Sequence, residues 1–208
     1  MGYMKSFILS IILSIILVSV LNVFLNKSNT KLRDKIKWQH YLFGYLFMLY
    51  LMISLLDVVG FPSLHEWRRL LALNQPIFNP EINLIPFNDG IEISGILNII
   101  FFMPFGFLLP TLWKKYRRLM PVVAQGVILS FIIEVGQLFT KYRASDINDL
   151  IMNTLGAIIG WILFKVLSKI FKDISNSTAI TIYNEEVTLV KIEPFIYIAI
   201  ALISAFIF

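Results

Sequence analysis

The 208-residue chain contains no cysteine, which excludes disulfides and thiolate chemistry and leaves the redox compartment open. Charge is scarce as well: Asp, Glu, Lys and Arg make up 15% of the residues, against about a quarter in soluble domains. There is no H-E-x-x-H zinc motif, no nucleophile elbow and no phosphate-binding glycine loop, so the common signatures of hydrolases and nucleotide enzymes are missing. Internal repeats and low-complexity tracts are missing too. What fills the chain instead is apolar surface, with 58% hydrophobic residues and a mean hydropathy of +0.78. That balance defines a polytopic membrane protein, and in such a protein the net charge of +5 reports topology, not nucleic-acid binding.

At about 20 residues per span, the length holds five or six helices and leaves no room for a separate soluble domain. The expected fold is an all-α polytopic bundle, residues 1–208 forming one membrane domain with spans near 7–25, 38–59, 93–113, 121–140, 147–170 and 194–208. The first run lacks a small-residue cleavage site and reads as an anchor helix, not a signal peptide. The last is only about 15 residues and spans with difficulty. Between the second and third spans, SLHEWRRLLAL has capping-box spacing at Ser63 and Glu66, and Leu64, Trp67, Leu70 and Leu71 share a helical face. This predicts a short amphipathic helix on the outer membrane surface. The proline-rich stretch with Pro76, Pro80 and Pro86 follows as a cap over the bundle. Pro104 and Gly106 predict a kink in the third span. Residues 178–193, TAITIYNEEVTLVKIE, alternate like two short strands turning at Asn184 and Glu185, a small cytoplasmic β-hairpin.

Basic residues set the orientation. Lys27, Lys31, Arg33, Lys35 and Lys37 crowd the first loop, the KKYRR cluster from Lys114 to Arg118 follows the third span, and Lys165, Lys169 and Lys172 close the fifth. The positive-inside rule makes these loops cytoplasmic, with the amino terminus outside and the hairpin tip near Arg143 facing outward.

Against this apolar background, the stretch from Phe131 to Gly160 carries Glu134, Gln137, Asp149 and Asn153 inside or at the ends of two spans. An ionisable side chain in hydrocarbon costs about 2.5 kcal/mol or more and is a functional-site hypothesis by default. At 1.5 Å per residue, Glu134 and Asn153 lie about 9 Å below the outer surface and Asn98 about 8 Å, so three helices bring polar groups to one level. Glu134 and Gln137 share one face of the fourth span; Asp146, Asp149 and Asn153 share one face of the fifth, continued by Gly156 and Gly160. The amides also serve as interhelical glue, and Ser145 or Asp146 as a helix cap. Arg143 at the tip is placed to neutralise a carboxylate or to take an anionic headgroup.

INLIPF before the third span, NIIFFMPFGFLLP within it, and E-x-x-Q followed by R-x-x-D-x-x-D-x-x-x-N-x-x-G carry a resemblance. In the latter the positions are Glu134, Gln137, Arg143, Asp146, Asp149, Asn153 and Gly156. Together they resemble the VanZ-like family of bacterial membrane proteins over about the middle 80 residues. The resemblance implies a cell-envelope protein linked to low-level resistance to teicoplanin-type glycopeptides.

Two classes of function fit these residues. In the first, an outward-facing polar pocket binds and chemically modifies an amphiphile: a membrane lipid, a lipid-linked wall precursor or a lipoglycopeptide. Glu134 is then general acid or base with Asp149 beside it, while Asn98, Gln137, Arg143, Asp146 and Asn153 bind substrate. Asp146 and Asp149 orient Arg143 or hold a Mg²⁺ on a phosphate, but two carboxylates without a third ligand or a histidine do not assign a metal, and no cofactor is expected. In the second, the same residues serve a non-catalytic binder or transporter, or the loop from Gly60 to Glu92 contacts another envelope protein.

Overall fold

A computed structural model describes residues 2–28, 36–79, 81–88, 90, 92–141, 143–180 and 188–208. Among the described residues, five helices are both long and apolar enough to cross a membrane, Met4–Leu25, Trp38–Val58, Ile93–Leu112, Leu119–Gln137 and Ile147–Ile170. They belong to α1 (Gly2–Ser28), α2 (Trp38–Ile53, extended by a π-helical turn Ser54–Val58), α4 (Ile93–Leu112), α5 (Leu119–Gln137) and α6 (Ile147–Ile170). Their large side chains point outward, as with Ile12, Ile16 and Val23 on α1 and Ile162, Val166 and Ile170 on α6, whereas Ser10, Ser14, Asn22 and Asn153 are buried. A bundle in lipid requires this inversion, because only its interior offers polar partners.

The tightest packing is between α4 and α6, which run parallel. A methyl group added at Gly156 would strike the carbonyl of Ile99, at Gly160 that of Met103, and at Gly106 that of Ala157. Backbone thus lies on backbone, as small residues permit where lipid removes any hydrophobic drive between helices. Pro104 and Pro110 both lie inside α4, which runs unbroken through the position where the sequence predicts a kink. α5 packs antiparallel against α6. A core of Phe47, Phe105, Trp113, Tyr116 and Tyr197 fills the bundle toward its other end.

Three expectations change. Residues 181–187, with the hairpin turn at Asn184 and Glu185, lie outside the described residues, but the outgoing arm is helical from Thr188: α8 spans Thr188–Ile207. In TLVKIE the alternation of period two is short enough to merge with the apolar helix that follows. The last helix is therefore 20 residues and about 30 Å long, enough for a span, and it packs against α1 and α2. Of the incoming arm, Ile180 pairs with Trp113 after the short helix α7 (Lys172–Thr178). The amphipathic helix α3 (Leu64–Ala72), capped by Ser63 accepting from the Glu66 amide, has part of the face expected to meet the membrane packed onto the bundle end. Leu70 is fully buried and Trp67 meets Phe206 edge-on at 4.8 Å, while Leu71 is exposed.

The proline-rich loop is fastened by two-residue strands: β1 (Ile82–Asn83) pairs in parallel with β2 (Ser145–Asp146). The loop thereby caps the α5–α6 hairpin. The helix directions divide the described charges between two ends. Lys27, Lys37, Lys114, Lys115, Arg117, Arg118, Lys165, Lys169, Lys172 and Lys191 lie toward one; Lys5, Arg68, Arg69, Lys141 and Arg143 lie at the other, with β1 and β2.

Candidate functional site

Asp146 begins α6 as its N-cap, its Oδ1 accepting from the Asn148 amide at 2.7 Å. Its other oxygen accepts from Asn83 Nδ2 at 3.1 Å, which ties the INLIPF stretch to the start of α6. Its backbone N–H donates to Glu134 Oε2 at 2.8 Å. Glu134 is 5% exposed; its second oxygen, Oε1, has no hydrogen bond of good geometry among the described residues, and the Ser145 side chain, Asp146 and Asp149 lie close by. The α5 helix ends at Gln137, so Glu134 lies three residues, about 4.5 Å, from that end, half the depth expected from a span reaching Thr140.

This shorter α5 shifts the level at which helices meet. Asn153 is buried one turn deeper than Glu134 and donates to Ser130 Oγ at 3.0 Å, its own Oδ1 unpartnered. Asn98 on α4 donates to Asp149 Oδ1, a 2.6 Å bond. The expected single layer of Asn98, Glu134 and Asn153 is thus three contacts in two layers. Asp146 and Asp149, joined by Asn148, Glu92 and Ser94, line a recess of about 40 Å³. Among the described residues no group of three or more His, Asp or Glu is arranged to ligate a metal ion.

Gln137 and Arg143 turn elsewhere. Gln137 Nε2 donates to the Val59 carbonyl at 3.0 Å, and its oxygen is left unpartnered. Arg143 Nη2 donates to the Val58 carbonyl at 3.1 Å. Both anchor the end of α2 to the α5–α6 hairpin. The guanidinium lies flat against Gly60, which has φ +63° and where a Cβ would come within 3.1 Å of Arg143 Nε. Only glycine accepts that backbone conformation so readily while leaving room for the side chain. Arg143 faces a cavity of about 440 Å³, separate from the recess of Asp146 and Asp149 and bounded by α1, the end of α2, α3 and the carboxy-terminal Phe208.

Sequence reasoning gave no site role to His65 or Arg69 and read Glu66 as the capping-box partner of Ser63; all three line this larger cavity. The signal was the i,i+3,i+4 spacing that places Glu66, Arg69 and Leu70 around one helix. Also missed was a buried acid at the opposite end. Glu193 on α8 is 1% exposed; it accepts from Trp113 Nε1 at 2.7 Å and lies 3.2 Å from His40 Nε2. The other ring nitrogen of His40 contacts the Thr178 carbonyl at 3.1 Å. Nearby, Tyr116 donates to Gln125 Oε1, and burial pushes its phenol up to about 12.

An all-helical, multi-pass membrane protein with a buried polar network at one end of its bundle is the class that this architecture defines. The VanZ/LLP1 family model matches residues 45–169, and the chain belongs to that family. Protein VanZ of Enterococcus faecium is 37% identical to it over 89 residues, 42% of this chain and 55% of that protein. The chain therefore matches about half the length of this curated relative. No solved structure matches the chain.

Proposed function

We propose that the protein is a cell-envelope component that modulates resistance to teicoplanin-type glycopeptides, acting from the bundle end that carries Glu134, Asn98 and Asp149. The single observation that carries this reading is the buried Glu134 carboxyl, one oxygen on the Asp146 amide and the other without a full hydrogen bond among the described residues, the Ser145 side chain beside it. Segregation of basic residues to the opposite end favours an outward-facing site with the amino terminus outside. An amphiphile entering from the outer leaflet would there meet Arg143 in the cavity and the Glu134 network behind it. In the catalytic form of this reading, Glu134 moves a proton and Asp149, held by Asn98, supports it. In the binding form, the same carboxylate accepts a hydrogen bond from the ligand.

The test is a teicoplanin-susceptible host expressing the chain. The wild type raises the inhibitory concentration, and Glu134→Gln abolishes that rise while membrane expression is unchanged. A protective Glu134→Gln protein removes the carboxylate from the function. Orientation is read separately: Asn88→Cys reacts with an impermeant thiol reagent on intact cells and Lys115→Cys does not. The reverse pattern turns the site inward.

A further inference from the structure

We infer that the 440 Å³ cavity between α1, α3 and the Gly60 turn binds the phosphate of an anionic lipid headgroup, clamped between Arg69 and Arg143. This deepens, and rests on, the reading that the protein engages an amphiphile at this end. Three features carry the inference.

The first is charge. Two arginine side chains border the cavity against the single acidic side chain of Glu66, with His65 also on its wall. Glu66 directs Oε1 toward the Lys141 amide, 3.4 Å away, and so turns one of its oxygens to the loop backbone. The second is preorganisation. Arg143 is fixed by the Val58 carbonyl and by contact with Gly60, and this bond uses only one of its five N–H donors. A guanidinium held flat presents its remaining donors at little entropic cost, and planar paired donors suit phosphate oxygens.

The third is the wall opposite the arginines. Phe7 on the second turn of α1, Leu56 at the end of α2 and Phe208 at the end of α8 make that side apolar. These residues sit at the helix ends, the level at which headgroup gives way to acyl chain. A free phosphate has no use for such a wall; a lipid phosphate does.

The experiment uses the full chain in detergent micelles, titrated with short-chain phosphatidylglycerol, short-chain phosphatidylcholine or inorganic phosphate, with the thermal midpoint as readout. Phosphatidylglycerol should raise the midpoint saturably, and the other two should not. Arg69→Gln and Arg143→Lys should each weaken half-saturation by about tenfold or more, the loss of a charge-assisted pair. Lys115→Gln, at the far end of the bundle, should leave it unchanged. Should Arg143→Lys unfold, Arg69→Gln alone decides. An equal response to phosphatidylcholine or to inorganic phosphate, or an Arg69→Gln protein with wild-type half-saturation, overturns the inference. A chain that gives no teicoplanin protection yet shows the lipid response overturns only the preceding reading; a flat titration in a protective chain overturns only this one.

Discussion

Glu134 and Glu193 are both buried acids in a membrane bundle, and they are held in opposite ways. Glu193 has both oxygens engaged, by Trp113 and His40, and belongs to a knot joining α2, α4, α7 and α8. Glu134 has one oxygen on a backbone amide and the other without a full hydrogen bond among the described residues, beside the Ser145 side chain. A buried polar group that is fully paired specifies packing, whereas one left half-paired costs stability that structure alone does not return. The comparison therefore separates an acid that holds the fold from an acid kept available for something else.

The sharpest way to break this contrast is to remove each acid in turn. Glu193→Leu leaves His40 and the Trp113 N–H without their acceptor, and stability should fall by about 3–5 kcal/mol, the usual cost of breaking a buried pair. Chemical unfolding in mixed micelles measures it. A smaller effect comes from Trp113→Phe, which takes one donor from Glu193 and keeps most of the ring. Its expected cost is about 1–3 kcal/mol. Glu134→Gln should change stability least, within about 1 kcal/mol and in the favourable direction, because it keeps an acceptor for the Asp146 amide and takes an ionisable group out of a buried site. If Glu134→Gln unfolds the protein as Glu193→Leu does, the two acids play one role and the distinction fails.

Alkaline pH gives a subtler comparison at the basic end. Burial raises the Tyr116 phenol to about 12 from its ordinary 10, so its stabilising contribution is complete below pH 10. It is lost as pH rises from 10 to 12, where the unfolded chain releases that proton first. Tyr116→Phe should flatten the pH dependence of the thermal midpoint within this window and leave its slope below pH 10 unchanged, while the midpoint itself falls with the lost bond to Gln125.

How much of this was legible depended on whether the deciding contact was local. The helices from Trp38 and Ile147 were visible as apolar runs with turn residues at their borders, and the E-x-x-Q and D-x-x-D-x-x-x-N stripes followed from helical spacing. The convergence of these stripes was approximate, because α5 stops at Gln137, short of Thr140, and the turn that follows sets which residue of α6 faces Ser130. Arg143 was read as a partner for a carboxylate or an anionic headgroup, and its charge does act on Asp149; its contact with Gly60 was not legible, because it depends on a positive φ in a distant loop. The pairing of Asn83 with Asp146 rests on a two-residue parallel ladder, too short to leave an alternation. Glu193 was lost in an apparent strand, and its partner His40 lies 153 positions away, beyond the reach of any local pattern.

The backbone contact of α4 on α6 has a consequence for how variants of this protein would score. Gly106, Gly156 and Gly160 perform no chemistry, yet each has room for a hydrogen atom and nothing larger. In a survey of substitutions read by antibiotic survival, these glycines would be as intolerant as any catalytic group. Ranked by survival alone, assembly and chemistry would merge into one signal. Counting protein in the membrane beside survival would pull them apart: on the function proposed above, a glycine variant would be lost from the membrane whereas a Glu134 variant would stay there and fail.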